Sequence, residues 1–468
     1  MRSRERFYFS KYECIVFVVI AILIVTLLQN FFYQTSRPTL DSLRYIDYAL
    51  NIHDHQVFGL SGTDRDKIPA PGNANSPLYP TLIAFAIVLD SKLSLSLKCV
   101  VTDTAAATNC PNQYSLIVGL QNVLVIVTLI CLWLTTMLLF QRSSIAWLAA
   151  GLALASTKPI SLANYLLPTV LILCLFSMLM LALVGAWKSG HRHWALGIGV
   201  IMGLLTLTRA EYIYLAYSFV VFGIGISFVL GWKRTRSANA IFILALCVVI
   251  GPWLMRNHHH FDRLSITEGY SDVVISYRSA YNRMSLSEWA AAFVYWLPRH
   301  GETLAAKLLP QSTYRKLGTD QASYLYTDGK EIFERGIAAI KGDRERLTRY
   351  LIRTEILTQP FKHAIVGIPL AWRGILTGRY LAVLGVPCLL ILAVIAFRHR
   401  DWGVPLLLFP PFIMVVLYAM VSVSIPRYNV YLINYYAIAV AWIAVKLIDR
   451  VRSNYSTTTV AMERSAHS

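Results

Sequence analysis

Long apolar runs divided by short, mostly basic connections organise this chain. Apolar stretches at Cys14 to Leu28, Leu116 to Phe140, Leu166 to Trp187 and Tyr212 to Leu230 approach or exceed the ~20 helical residues that cross a hydrocarbon layer of ~30 Å. The pattern predicts ten spans, near residues 13–34, 115–140, 144–159, 163–187, 194–209, 211–230, 238–255, 379–397, 403–424 and 428–447. The chain opens with Arg2, Arg4, Arg6 and Lys11, and alternate connections carry Arg142, Lys188 with Arg192, Lys233 with Arg234 and Arg236, Arg398 with Arg400, and Arg450 with Arg452. Placing all of these inside puts both termini in the cytoplasm; shifting the parity by one span would leave a basic tail or several basic turns outside. Bulky Phe31, Phe32 and Tyr33 follow the first run, with no small-residue cleavage site, so it reads as an uncleaved anchor.

Two longer segments then lie outside, at about 36–112 and 256–378, dividing the chain into an N-terminal transmembrane module (1–255), an outer loop region (256–378) and C-terminal spans with a cytoplasmic tail (379–468). In the first outer loop, Leu43, Ile46 and Leu50 fall at helical spacing and predict a short surface helix starting near Asp41. Ser76 and Pro77 suit the start of a second helix running to Leu89, at ~14 residues interfacial rather than spanning. The second outer segment offers amphipathic helices at 287–297, 343–357 and from near Pro360, without a large core of its own. The expected fold class is an all-α polytopic membrane protein.

Composition sharpens this. Of 468 residues, 56% are hydrophobic and 15% charged, against roughly 25% charged in an average soluble domain, which excludes an ordinary soluble enzyme. A net charge of +18 suggests a nucleic-acid footprint only until the basic residues are located. They lie between apolar runs, where topology and anionic membrane lipids account for them. Five of seven cysteines fall inside spans, whereas Cys99 and Cys110 share the first outer loop; in an oxidising compartment these two pair, and otherwise they remain thiols.

Ionisable groups near a membrane are costly, so their placement is informative. Lys158, Arg209, Arg256 and Arg427 all fall at outer helix ends, on the same side as Asp41. Each cation taken alone can snorkel to the interface. Together beside one carboxylate they suit a reaction that releases a phosphate. Asp41 otherwise reads as a helix cap, Asp47 as a solvated helix residue, Pro77 as a helix start and Tyr79 as an interfacial anchor. Glu211, two residues from Arg209, does not face it on a continuous helix, so pairing needs a break there. The run His258, His259, His260 reads as a solvated turn rather than a metal site, and Gly199 and Gly203 as helix-packing positions. No phosphate-cradling or dinucleotide motif is apparent.

The string Gly203-Leu-Leu-Thr-Leu-Thr-Arg-Ala-Glu211, then Gly251-Pro-Trp-Leu-Met-Arg-Asn257 with Phe261-Asp-Arg263, resembles the GT-C glycosyltransferases that use polyprenyl-phosphate sugars. Asp41, the Ser76-Pro-Leu-Tyr-Pro80 segment and Arg427-Tyr428 are similar in order and position to that family's loop acid, proline-leucine motif and final arginine. The likeness is greatest to bacterial dolichyl-phosphate-mannose-protein mannosyltransferase-like proteins and to the aminoarabinose transferase of lipid A. It implies a GT-C-like bundle of about ten spans in a bacterial inner membrane, its site facing the periplasm. It implies a polyprenyl-phosphate donor such as an undecaprenyl phosphate sugar, and a lipid, glycan or protein acceptor. Asp41 would be the base of a single inverting displacement, with Lys158, Arg209, Arg256 and Arg427 holding phosphate and Tyr45, Pro77, Tyr79, Glu211 and Tyr428 lining the site.

This chain departs from the family where Ser42 follows Asp41, since many relatives have a second acid there, and at Pro168-Thr169, where many also carry an acid. A divalent cation is therefore compatible with these residues but not required by them. A transporter or flippase would place charges near the membrane midplane and show related halves. An O-antigen ligase or polymerase would handle similar substrates without this order of motifs.

Overall fold

The computed structural model describes residues 11–32, 38–61, 67–102, 110–268, 271–318 and 324–466; Arg2, Arg4 and Arg6 lie outside them. Every regular element among the described residues is helical. Seven helices are long and apolar enough to cross a membrane: Lys11–Phe31, Ser115–Phe140, Thr169–Ser189, Thr235–Phe261, Tyr380–Arg398, Gly403–Val421 and Leu432–Ser453. The protein is a polytopic membrane protein. The other three expected spans are the shorter apolar helices Ser143–Ala155, His193–Thr208 and Tyr212–Phe228. At 1.5 Å per residue, the 13 residues of Ser143–Ala155 reach only ~20 Å, and a second short helix, Lys158–Ala163, follows after a break.

The helix Trp232–Phe261 runs further than the pattern suggests and takes in His258, His259 and His260. They are exposed on its last turn, not in a loop. Among the described residues no group of three or more His, Cys, Asp or Glu is placed to hold a metal ion. His193–Thr208 packs directly on this helix: a Cβ added at Gly199 would collide with the Phe242 carbonyl, and one at Gly203 with Val249.

Side-chain bonds show which helix ends lie together. At one end Arg142 Nη2 donates to Asp449 Oδ1 at 2.8 Å, Ser143 bonds Glu13, and Trp187 abuts Gly403. At the other end Gln29 Nε2 donates to Asn164 Oδ1 at 2.8 Å and Arg379 to Thr157 at 3.2 Å. The basic connections near Arg142, Lys188 and Arg400 thus share the first end, and the outer segments the second.

The second outer segment is more ordered than expected. The helices Ser271–Ala280, Leu286–Tyr295, Asp328–Ala339, Arg344–Leu351 and Pro360–Ile375 enclose two small cores, with Gly301–Leu308 beside them. One of these includes Ala419 and Val423, so the segment is packed onto the end of Gly403–Val421. Arg278 fastens it there. Fully buried, it donates from Nε to the Ala419 carbonyl at 2.7 Å, while His363 Nε2 donates to the Met420 carbonyl at 2.8 Å. These last-turn carbonyls have no helical partner, and a cation complements the helix dipole. Burial lowers the Arg278 guanidinium to about 9, which still leaves it charged at neutral pH.

In the first outer segment, Cys99 on helix Ser91–Thr102 is disulfide-bonded to Cys110, with Cα atoms 5.7 Å apart. Closing so short a loop is worth about 2–3 kcal/mol. Thiol labelling without reductant should modify neither cysteine, and Cys99→Ser should lower thermal stability by about that amount.

Candidate active site

A cavity of about 480 Å³ opens at the end of the bundle that carries the outer segments. That is within the usual size for a small-molecule site. Its walls include the start of helix Leu40–His55, the 74–76 loop, Leu167, Pro168 and Thr169 at the start of Thr169–Ser189, the junction between His193–Thr208 and Tyr212–Leu230, and the turn Pro426–Asn429. Residues of the second outer segment, Tyr324, Tyr326 and Arg373, complete it.

Asp41 and Arg427, 386 residues apart in sequence, meet here, with Arg427 Nη2 donating to Asp41 Oδ2 at 2.7 Å. Asp41 does not cap its helix. Thr39 is the N-cap, its backbone N–H donating to Ser42 Oγ at 3.0 Å, which leaves the Asp41 carboxylate 59% exposed at the cavity. Along the same helix Asp41, Arg44 and Tyr45 all face the cavity, as spacings of three and four residues require. Tyr48 is one turn further on.

Helix His193–Thr208 ends with Arg209 in an extended conformation. This break brings Arg209 Nη2 to 2.7 Å from Glu211 Oε1, a pairing that a continuous helix would forbid. Glu211 also accepts from the Tyr418 hydroxyl at 3.2 Å, and the Arg209 guanidinium lies over the Tyr428 ring, 4.8 Å from its centroid. Tyr45 packs edge-on against Tyr79, with centroids 5.5 Å apart, and burial raises its hydroxyl pKa.

The turn bearing Arg427 is braced. A Cβ added at Gly374 would collide with Ser424 Oγ and Asn429 Nδ2, so helix Pro360–Ile375 rests against it directly. Ser424 has φ +43°, in the left-handed region that a side chain rarely adopts, and is fully buried.

Of the expected site residues, Asp41, Tyr45, Arg209, Glu211, Arg427 and Tyr428 line one cavity. Lys158 does not; it lies within the electrostatic reach of Arg379, on another part of the rim. Arg256 is also elsewhere. It donates to the Gly72 carbonyl at 2.8 Å and the Phe58 carbonyl at 3.0 Å, and lies over Trp253, so its fork holds Phe58 and Gly72 together rather than facing a phosphate. Tyr79 is buried behind Tyr45, and Pro77 is the N-cap of Leu78–Leu89; neighbouring Ala74, Asn75 and Ser76 line the cavity instead. Asp47 is not solvated: buried, it accepts the Ser61 backbone N–H at 2.8 Å and anchors the loop that follows its helix.

Four arginines line the cavity, Arg44, Arg209, Arg373 and Arg427, against two carboxylates, Asp41 and Glu211. The excess of positive charge suits anionic groups, and arginine forks can grip two oxygens of one such group.

No protein-family profile matches the chain, and no curated protein matches it. Among solved structures, 97% of the chain aligns with the archaeal oligosaccharyltransferase AglB from Archaeoglobus fulgidus, in complex with an inhibitory peptide and a dolichol-phosphate, at a TM-score of 0.52 and 12% identity. The chain shares the fold of that protein. It spans 52% of that protein's length. ArnT from Cupriavidus metallidurans also aligns, with undecaprenyl phosphate bound and in the apo state, each at a TM-score of 0.39 and over 77% of its length; these alignments cover 92% and 91% of this chain at 12% and 15% identity.

Proposed function

We propose that this protein is an inverting glycosyltransferase that moves a sugar from a polyprenyl-phosphate donor to a hydroxyl of a lipid, glycan or protein acceptor. The observation that carries the reading is the meeting of Asp41 with Arg427 and Arg209 in one arginine-rich cavity at an end of a GT-C bundle. The AglB structure, which holds a dolichol-phosphate, supports a lipid-phosphate partner for a chain of this fold.

A sugar on a lipid phosphate has a good leaving group. Catalysis then needs a base for the acceptor hydroxyl and cations for the departing phosphate. Asp41 takes the hydroxyl proton as the acceptor oxygen bonds to the anomeric carbon. The bond from that carbon to the phosphate oxygen breaks on the opposite face, and the polyprenyl phosphate leaves with the electron pair. Arg427 and Arg209 meet its charge, while Glu211 and Tyr428 orient Arg209. The donor tail stays between helices, out of water. The basic connections favour cytoplasmic termini and a site facing the periplasm of a bacterial inner membrane. Residues 1–255 and 379–468 then form the membrane body, and 256–378 the region that meets the acceptor.

The test is transfer from a panel of radiolabelled polyprenyl-phosphate sugars in membranes containing the protein. Release of polyprenyl phosphate with label moved to a membrane or glycan fraction is expected. Retention of label on every donor, from membranes that bind undecaprenyl phosphate normally, would argue for a binding or transport role instead.

A further inference from the structure

Arg373 and Arg44 are the cavity-lining cations to which the proposed chemistry gives no task, and of the two only Arg373 belongs to the second outer segment. It stands near the end of helix Pro360–Ile375, with its guanidinium over the Trp296 ring, 5.0 Å from the centroid. One Nη donates to the Tyr281 hydroxyl at 3.2 Å, and that hydroxyl donates to Tyr324 at 3.4 Å. Tyr324 and Tyr326 share the cavity wall with Arg373, their rings stacked with centroids 5.7 Å apart. Tyr326 is backed in turn by Tyr277 at 4.2 Å.

Arg209 and Arg427 each pair with a carboxylate. Among the described residues no carboxylate lies within 4.0 Å of Arg373, whose hydrogen-bond partner is the neutral Tyr281 hydroxyl. A guanidinium drawn into a cavity wall without a counter-charge is costly unless a partner arrives. Its N–H groups not given to Tyr281 match two oxygens of one oxyanion, and Tyr326, 38% exposed at the cavity wall, adds a polar and apolar edge beside it. Resting on the glycosyltransferase reading above, we propose that Arg373, Tyr324 and Tyr326 form the acceptor subsite, and that the acceptor is an anionic glycan, a sugar bearing a phosphate or a carboxylate. The placement separates the two substrates. Asp41, Arg209 and Arg427 belong to elements adjoining the membrane spans, where a donor's tail must lie. Arg373 and the tyrosines belong to the outer segment, from which a water-exposed acceptor approaches.

The test is equilibrium binding to the full-length protein in nanodiscs, with undecaprenyl phosphate saturating the donor side. The probes are glucose 6-phosphate, glucuronic acid and, as the neutral reference, glucose. Both charged sugars should bind the native protein at least tenfold more tightly than glucose. Arg373→Gln should erase that preference and leave the affinity for undecaprenyl phosphate within twofold. Equal binding of all three sugars by the native protein overturns the subsite without any variant, and so does a preference that survives Arg373→Gln. A variant that loses undecaprenyl phosphate instead assigns Arg373 to the donor phosphate, which also overturns the proposal. A native protein that ignores undecaprenyl phosphate yet shows an Arg373-dependent preference sinks the glycosyltransferase reading and leaves the anion subsite standing.

Discussion

Asp41→Asn should lower sugar transfer by ~10²- to 10⁴-fold, the usual contribution of a positioned general base, while the protein folds and holds polyprenyl phosphate at least as tightly as before. The two halves of that expectation come from different observations. Asparagine cannot accept the proton of the attacking hydroxyl, so the chemical step suffers. Folding is spared because the helix start is capped by Thr39 and Ser42, not by Asp41, and because asparagine keeps an oxygen that can accept from Arg427. Lipid-phosphate binding is expected to tighten severalfold, because the carboxylate that competes with phosphate for Arg427 is gone. Stopped-time transfer assays and direct titration of undecaprenyl phosphate read the two effects separately. Native transfer by the variant would remove Asp41 from the chemistry. Lost transfer together with lost lipid binding would make it a structural support of the site.

That the expected cations stand near the ends of apolar helices was legible in the sequence; the direction in which each points was not. In the sequence Lys158, Arg209, Arg256 and Arg427 all read as helix-end residues, though the helix carrying Arg256 runs on to Phe261, and nothing in their spacing separates Arg209 and Arg427 from the other two. What separates them is tertiary. Arg256 spends its donors on the Gly72 and Phe58 carbonyls, while Arg209 is turned toward Glu211 by a break in the backbone. Arg44 was within reach, since it lies three residues after Asp41 on a helix whose apolar positions Leu43, Ile46 and Leu50 already fixed the opposite face. Arg373, Tyr324 and Tyr326 carried no comparable signal. They come from a segment whose helices are short and whose cores are small, so apolar periodicity says little about which side faces the membrane body. The error over Asp47 has the same origin: a carboxylate on a short surface helix looks solvated until a loop folds back and donates a backbone N–H to it.

Arg427→Gln should shift lipid-phosphate affinity the other way, weakening it by about 10- to 100-fold, the equivalent of the ~1.5–3 kcal/mol typical of a hydrogen bond to a charged group. Transfer falls with it, because the same guanidinium meets the charge that develops on the leaving phosphate. Arg427→Lys should recover only part of the loss, since an ammonium offers a point charge where the fork grips two oxygens. Stability should scarcely change. The Arg427–Asp41 pair is well exposed, at 36% and 59% for the two side chains, and pairs of this kind contribute about 1 kcal/mol or less. Titration of undecaprenyl phosphate into the variants in nanodiscs, with thermal melting alongside, checks each point. The opposite signs at two side chains 2.7 Å apart make the test strict. If the pair served only to staple the turn Pro426–Asn429 to helix Leu40–His55, removing either partner would loosen the same contact and move affinity in the same direction. Only a site in which phosphate displaces Asp41 from Arg427 makes the two substitutions diverge.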